Sequence, residues 1–97
     1  LRISPGTLIH PTPELLASPE SPYHAALKEG RTLEVQKLLN LPPGPVLIEG
    51  AGGTHVPLTE STLIIDLIQE MKVPVVLCLS LYLGAIHHSL TTLEALE

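Results

Sequence analysis

An α/β fold, a parallel sheet with flanking helices, is what the amino-acid sequence of this chain predicts. Two continuous apolar runs of strand length, Pro45-Val46-Leu47-Ile48 and Val75-Val76-Leu77-Cys78-Leu79, are separated by a segment whose apolar residues recur at helical spacing. Strand, helix and strand in that order form a right-handed β-α-β crossover. The core must be aliphatic, because the only aromatic residues are Tyr23 and Tyr82, and Leu/Ile/Val-rich strands suit a sheet covered on both faces. At 97 residues the chain is one domain at most. It opens on Leu1 and closes inside a helical pattern without a stop signal, so residues 1–97 are expected to be a single partial domain.

The elements follow in order. Prolines at 5, 11, 13 and 19 disfavour helix interiors and central strands, which predicts an extended loop over residues 1–20. Ser21-Pro22 reads as an N-cap with proline at the first helical position, opening a short helix Tyr23 to Glu29 that Gly30 closes. Thr32 is placed to cap a second short helix, Leu33 to Leu39, ending at Asn40. Pro42-Pro43-Gly44 then breaks the chain before the first strand, which ends at Glu49 and Gly50-Ala51-Gly52-Gly53. From Ser61 to Met71, Leu63, Ile64, Leu67, Ile68 and Met71 share one helical face, opposite Asp66, Gln69 and Glu70. The second strand follows Pro74, and Gly84 opens a last helix with Ile86, Leu90 and Leu93 on one side.

Five Lys/Arg against ten Asp/Glu give a formal charge of -5, and no basic cluster is interleaved with aromatics, which argues against nucleic-acid binding. The lone Cys78 excludes an internal disulfide and, in an apolar run, is expected to be buried. The uncharged stretch Val73 to Ile86 is too short to span a bilayer, and no basic-apolar signal segment opens the chain. A cytoplasmic protein without a membrane partner is the expectation.

Ligands of open parallel sheets bind at the carboxyl ends of strands, where loop amides and helix N-termini converge. Glu49 with Gly50-Ala51-Gly52-Gly53 falls there: a carboxylate at a strand tip beside a backbone with few side chains to obstruct a phosphate, an arrangement able to hold Mg²⁺ near a nucleotide. A carboxylate that simply caps the next turn gives the same pattern, and spacing alone leaves both readings open. Leu83-Gly84-Ala85-Ile86-His87-His88 is a strand-to-helix turn whose backbone donors suit an anion. Adjacent histidines on a helix point about 100° apart and do not readily chelate one ion. His10, His24 and His55 read as solvent-facing or capping, Ser80 and Cys78 as packing residues, and Asp66 with Glu70 as a solvated face. No catalytic residue is assigned.

Two stretches, Val46-Leu47-Ile48-Glu49-Gly50-Ala51-Gly52-Gly53-Thr54-His55-Val56-Pro57-Leu58 and Tyr82-Leu83-Gly84-Ala85-Ile86-His87-His88-Ser89-Leu90-Thr91-Thr92-Leu93-Glu94-Ala95-Leu96, together resemble the dethiobiotin synthetase family in order and separation. Ser21-Pro22-Tyr23-His24-Ala25-Ala26 with Glu29-Gly30 is a looser third match. The resemblance implies a P-loop NTPase-like α/β fold, a homodimer, and the substrates 7,8-diaminononanoate and CO₂ with ATP and Mg²⁺. It implies Glu49 as metal ligand and Gly50, Ala51 and Gly52 along the nucleotide. It also implies Leu83, Gly84, Ala85, Ile86 and His87 as the turn that receives the substrate's tail carboxylate from the partner subunit. His87 stands where the family has Asn; a neutral imidazole retains one donor. The family's G-x-x-x-x-G-K-[ST] loop, its catalytic lysine, its second metal-binding Asp and its C-terminal adenine-contacting segment have no counterpart here, so the 97 residues alone are expected to be inactive. A cobyric-acid type amide synthetase shares the Glu-Gly-Ala-Gly-Gly motif and is the alternative enzyme; a non-catalytic scaffold module is the alternative of another class.

Overall fold

The computed structural model describes residues 4–97, in which four helices are formed: α1 Pro22–Lys28, α2 Val35–Leu39, α3 Ile64–Met71 and α4 Ala85–Leu96. Pro22 occupies the first position of α1, where its missing N–H costs nothing. Gly30, at φ +65°, closes the helix: its amide bonds the Leu27 carbonyl and the Arg31 amide bonds the Ala26 carbonyl, the pair of contacts of a Schellman cap. α2 begins two residues later than the sequence predicts. Thr32 makes no capping bond, and Leu33 is drawn into the core instead. α3 also starts late, at Ile64, because the chain before it is folded into a compact loop. Within that loop Val56 N bonds Gly53 O, Leu58 N bonds Thr62 O, and a single antiparallel bridge joins Pro57 to Leu63.

The core lies among these pieces. Ala26 of α1, Leu33, Leu58 of the loop and Ile64 of α3 are buried together, with Leu16, Leu38, Val56, Leu67 and Ile68 packed around them. The loop rim is tied to α1 by a bond from Tyr23 N to Pro57 O at 3.2 Å. The proline-rich segment is held from outside: the Glu14 carboxylate pairs with Arg31 and faces the Lys37 ammonium at 3.7 Å, and Glu29 Oε1 accepts from the Ala17 amide at 2.7 Å. Glu14 is the most buried partner of that cluster, its side chain only 6% exposed.

The β-α-β unit is not formed among the described residues. Residues 45–48 and 75–79 carry no strand ladder, and Leu47 and Val76 are more than 80% exposed. The physical reason is that a ladder is a non-local bond: two parallel strands with both edges open and no third neighbour are marginal, whatever their β propensity. Cys78, expected to be buried on the second strand, is exposed for the same reason. α4 buries only Ala85; Ile86, Leu90 and Leu93, the predicted apolar face, remain accessible. No helix among the described residues is long and apolar enough to cross a membrane.

Candidate functional site

Glu49 stands at the end of the first apolar run, exposed and without a hydrogen bond or ion pair among the described residues. The glycine-rich turn after it lies over the start of α3. A Cβ on Gly50 would sit 3.7 Å from the Ile64 side chain, an ordinary contact, whereas a Cβ on Gly52 would meet Val56 Cγ2 at 2.8 Å. Gly52 also has φ +94°, a conformation that favours glycine, so two independent constraints act on this one residue. Gly53 faces open space.

The first amides of α3 are already used. Ile64 N bonds Val56 O at 3.0 Å, Ile65 N bonds Thr54 O at 2.8 Å, and Asp66 Oδ2 accepts from Leu63 N at 2.7 Å. The α3 N-terminus is therefore closed by its own loop rather than open to a phosphate, and Asp66, exposed like Glu70 as expected, also serves as a cap. What the segment leaves available for a ligand is the Glu49 carboxylate and the backbone of Gly50, Ala51 and Gly52.

The second predicted turn has a different character. Ala85 N bonds Tyr82 O at 3.0 Å, Gly84 at φ +97° forms the N-cap of α4, and His88 N bonds Gly84 O at 3.1 Å. The Ile86 and His87 amides find no backbone acceptor among the described residues. Leu83, Ile86 and His87 are exposed while Ala85 is buried. The Tyr82 hydroxyl is 2.7 Å from His88 Nδ1, and the His87 and His88 rings are tilted at 5.5 Å between centroids. No hydrogen bond or ion pair among the described residues joins the Glu49 turn to the α4 turn.

His24 has a partner that the reading of its sequence neighbourhood missed: Ser21 Oγ lies 2.8 Å from its Nδ1, so the Ser21 hydroxyl engages the ring three residues on rather than a helix amide. The i, i+3 spacing was the available signal. His55 Nδ1 is 3.1 Å from Thr54 Oγ1, and His10 lines a shallow groove with Pro13, Leu38 and Pro42. Among the described residues no three His, Cys, Asp or Glu side chains gather as a metal cage. A magnesium ion does not require one: it commonly takes one or two carboxylates and completes its shell with phosphate and water oxygens. The hard, unpaired oxygens of Glu49 fit that demand.

The AAA domain family matches residues 2–97. Among curated proteins the chain is similar to the ATP-dependent dethiobiotin synthetase BioD of Sphingopyxis alaskensis, 41% identical over 92 residues that cover 95% of this chain and 45% of the relative. It is likewise similar to that of Paramagnetospirillum magneticum, 40% identical over 99 residues covering 99% and 47%. The biotin biosynthesis bifunctional protein BioCD of Bordetella avium is 42% identical over 95 residues, 96% of this chain and 20% of that protein. The chain thus spans a little under half the length of the first two synthetases. No solved structure matches it significantly. The chain belongs to the AAA domain family, of the P-loop NTPase-like class, and within it resembles the dethiobiotin synthetases.

Proposed function

We propose that residues 1–97 are the central part of an ATP-dependent dethiobiotin synthetase domain, a ligase of biotin biosynthesis acting on 7,8-diaminononanoate and CO₂. The observation that carries this reading is the 40–41% identity to named synthetases across nearly the whole chain, together with a free carboxylate at Glu49 beside an unobstructed glycine backbone. In this reading Glu49 is the metal ligand, and Gly50, Ala51 and Gly52 run along the nucleotide. Glu49 would hold a Mg²⁺ ion, whose positive charge, when bound, would offset the charge developing on the phosphate oxygens. The role of this chain's own residues is positional: Glu49 fixes one oxygen ligand, and the constraint on Gly52 holds the turn in one shape.

The Leu83-Gly84-Ala85-Ile86-His87 turn receives the tail carboxylate of diaminononanoate on the Ile86 and His87 amides at the positive end of α4. In the same reading the carboxylate comes from the partner subunit of a homodimer, and the apolar runs 45–48 and 75–79 become adjacent strands of a parallel sheet once neighbouring strands cover their edges. In this reading the protein works in the cytoplasm. The test is Glu49→Gln in the whole protein, which keeps shape and removes charge. Dethiobiotin formation should fall at least 100-fold at fixed Mg²⁺ and recover in part at high Mg²⁺. Unchanged activity removes the metal assignment.

A further inference from the structure

Tyr82 and His88 flank the α4 turn, and nothing above gives them a role. The Tyr82 hydroxyl is 2.7 Å from His88 Nδ1 and the two rings are tilted at 33° with centroids 5.7 Å apart. His88 Cε1 lies 3.7 Å from where a Cβ of Gly84 would stand, so the imidazole occupies the space that a side chain at this left-handed position would face. The same residues close the turn through the backbone, by Ala85 N to Tyr82 O and His88 N to Gly84 O. On its far side, His88 is gripped by the Thr92 hydroxyl, which donates to the His88 carbonyl at 2.7 Å.

α4 buries only Ala85, so tertiary packing does little to set the shape of its first turn. The side-chain bond between Tyr82 and His88 spans the five residues between them and is the one polar side-chain link across the turn among the described residues. We infer that Tyr82 and His88 are positioning residues: a clasp that aims the Ile86 and His87 amides at a carboxylate. The inference rests on the proposed reading of this turn as the carboxylate site. A hydrogen bond of this kind contributes about 0.5–1.5 kcal/mol, which as a binding effect is roughly 2- to 12-fold.

The experiment uses the whole protein with two substrates: 7,8-diaminononanoate and 2,3-diaminooctane, which has the same diamine but no carboxylate. Tyr82→Phe should raise KM for the acid 3- to 10-fold with kcat unchanged and leave KM for the diamine where it was. His88→Ala should do the same, and His88→Asn, whose amide comes near the place of Nδ1, should restore most of the affinity. A wild type that favours the acid while Tyr82→Phe keeps its KM overturns the clasp alone. A wild type that takes both substrates with equal KM removes the carboxylate reading, and the clasp with it. Loss of affinity for both substrates in Tyr82→Phe also overturns it, since that marks general damage to the fold.

Discussion

Replacing Gly52 by alanine tests how the glycine-rich turn is built. At φ +94° a residue with a Cβ is strained by about 1–2 kcal/mol. The new methyl would also stand 2.8 Å from Val56 Cγ2, and overpacking of that kind costs about 1–3 kcal/mol. Val56 cannot step aside cheaply: it is β-branched, and its carbonyl is the acceptor for the Ile64 amide at the head of α3. The two effects together predict a loss of about 2–5 kcal/mol. Gly53→Ala, one residue on and facing open space, should stay within about 1 kcal/mol of the parent. Urea unfolding of the whole protein measures both, and Mg-ATP titration of the folded variants should show the weaker binding in Gly52→Ala. Val56→Ala on top of Gly52→Ala should recover the steric part and leave the backbone part, with a coupling of about 1 kcal/mol or more. Equal midpoints for Gly52→Ala and Gly53→Ala would refute the reasoning.

Ile64→Ala removes a buried side chain shared by the core and the loop, and should cost about 2–5 kcal/mol in the same urea assay, against little or nothing for Leu15→Ala on the exposed segment. The Lys37 ammonium is held above its ordinary value of 10.5 by a hydrogen bond to Glu34 and by attraction to the same carboxylate. Its stabilising contribution is therefore complete below pH 10.5 and declines as the pH rises through the elevated value. Unfolding midpoints compared on either side of that window should show a small decline that Glu34→Gln abolishes.

The helices were legible wherever their signals are local. Ser21-Pro22 and Gly30 bracket α1, the apolar stripe of Ile64, Leu67, Ile68 and Met71 marks α3, and Gly84 marks the start of α4. The helix starts that moved did so for tertiary reasons: Leu33 is worth more in the core than in a first helical turn, and Thr54 and Val56 carbonyls take over the amides at the head of α3. The apolar runs 45–48 and 75–79 could be recognised by composition, but a ladder depends on partners distant in the chain, which no local pattern supplies, and none is formed among the described residues. The pairing of Glu14 with Arg31 is hidden for the same reason, being a contact across 17 residues. In the candidate site, Glu49 and the glycines were visible as a motif. That Val56 leaves no room for a Cβ at Gly52, and that the His88 ring fills the space a side chain at Gly84 would face, became visible only in three dimensions.

The uncharged stretch from Val73 to Ile86 carries a hazard in its exposed backbone. Bare main-chain donors and acceptors beside Val75, Val76 and Leu79 are a template on which a second copy could add, the first step toward insoluble cross-β assemblies. Pro74 removes one donor at the front of that template, and Lys72 just ahead of it would bring like charges together in any in-register stack. Pro74 and Lys72 thus stand where gatekeeper residues flank an exposed apolar run.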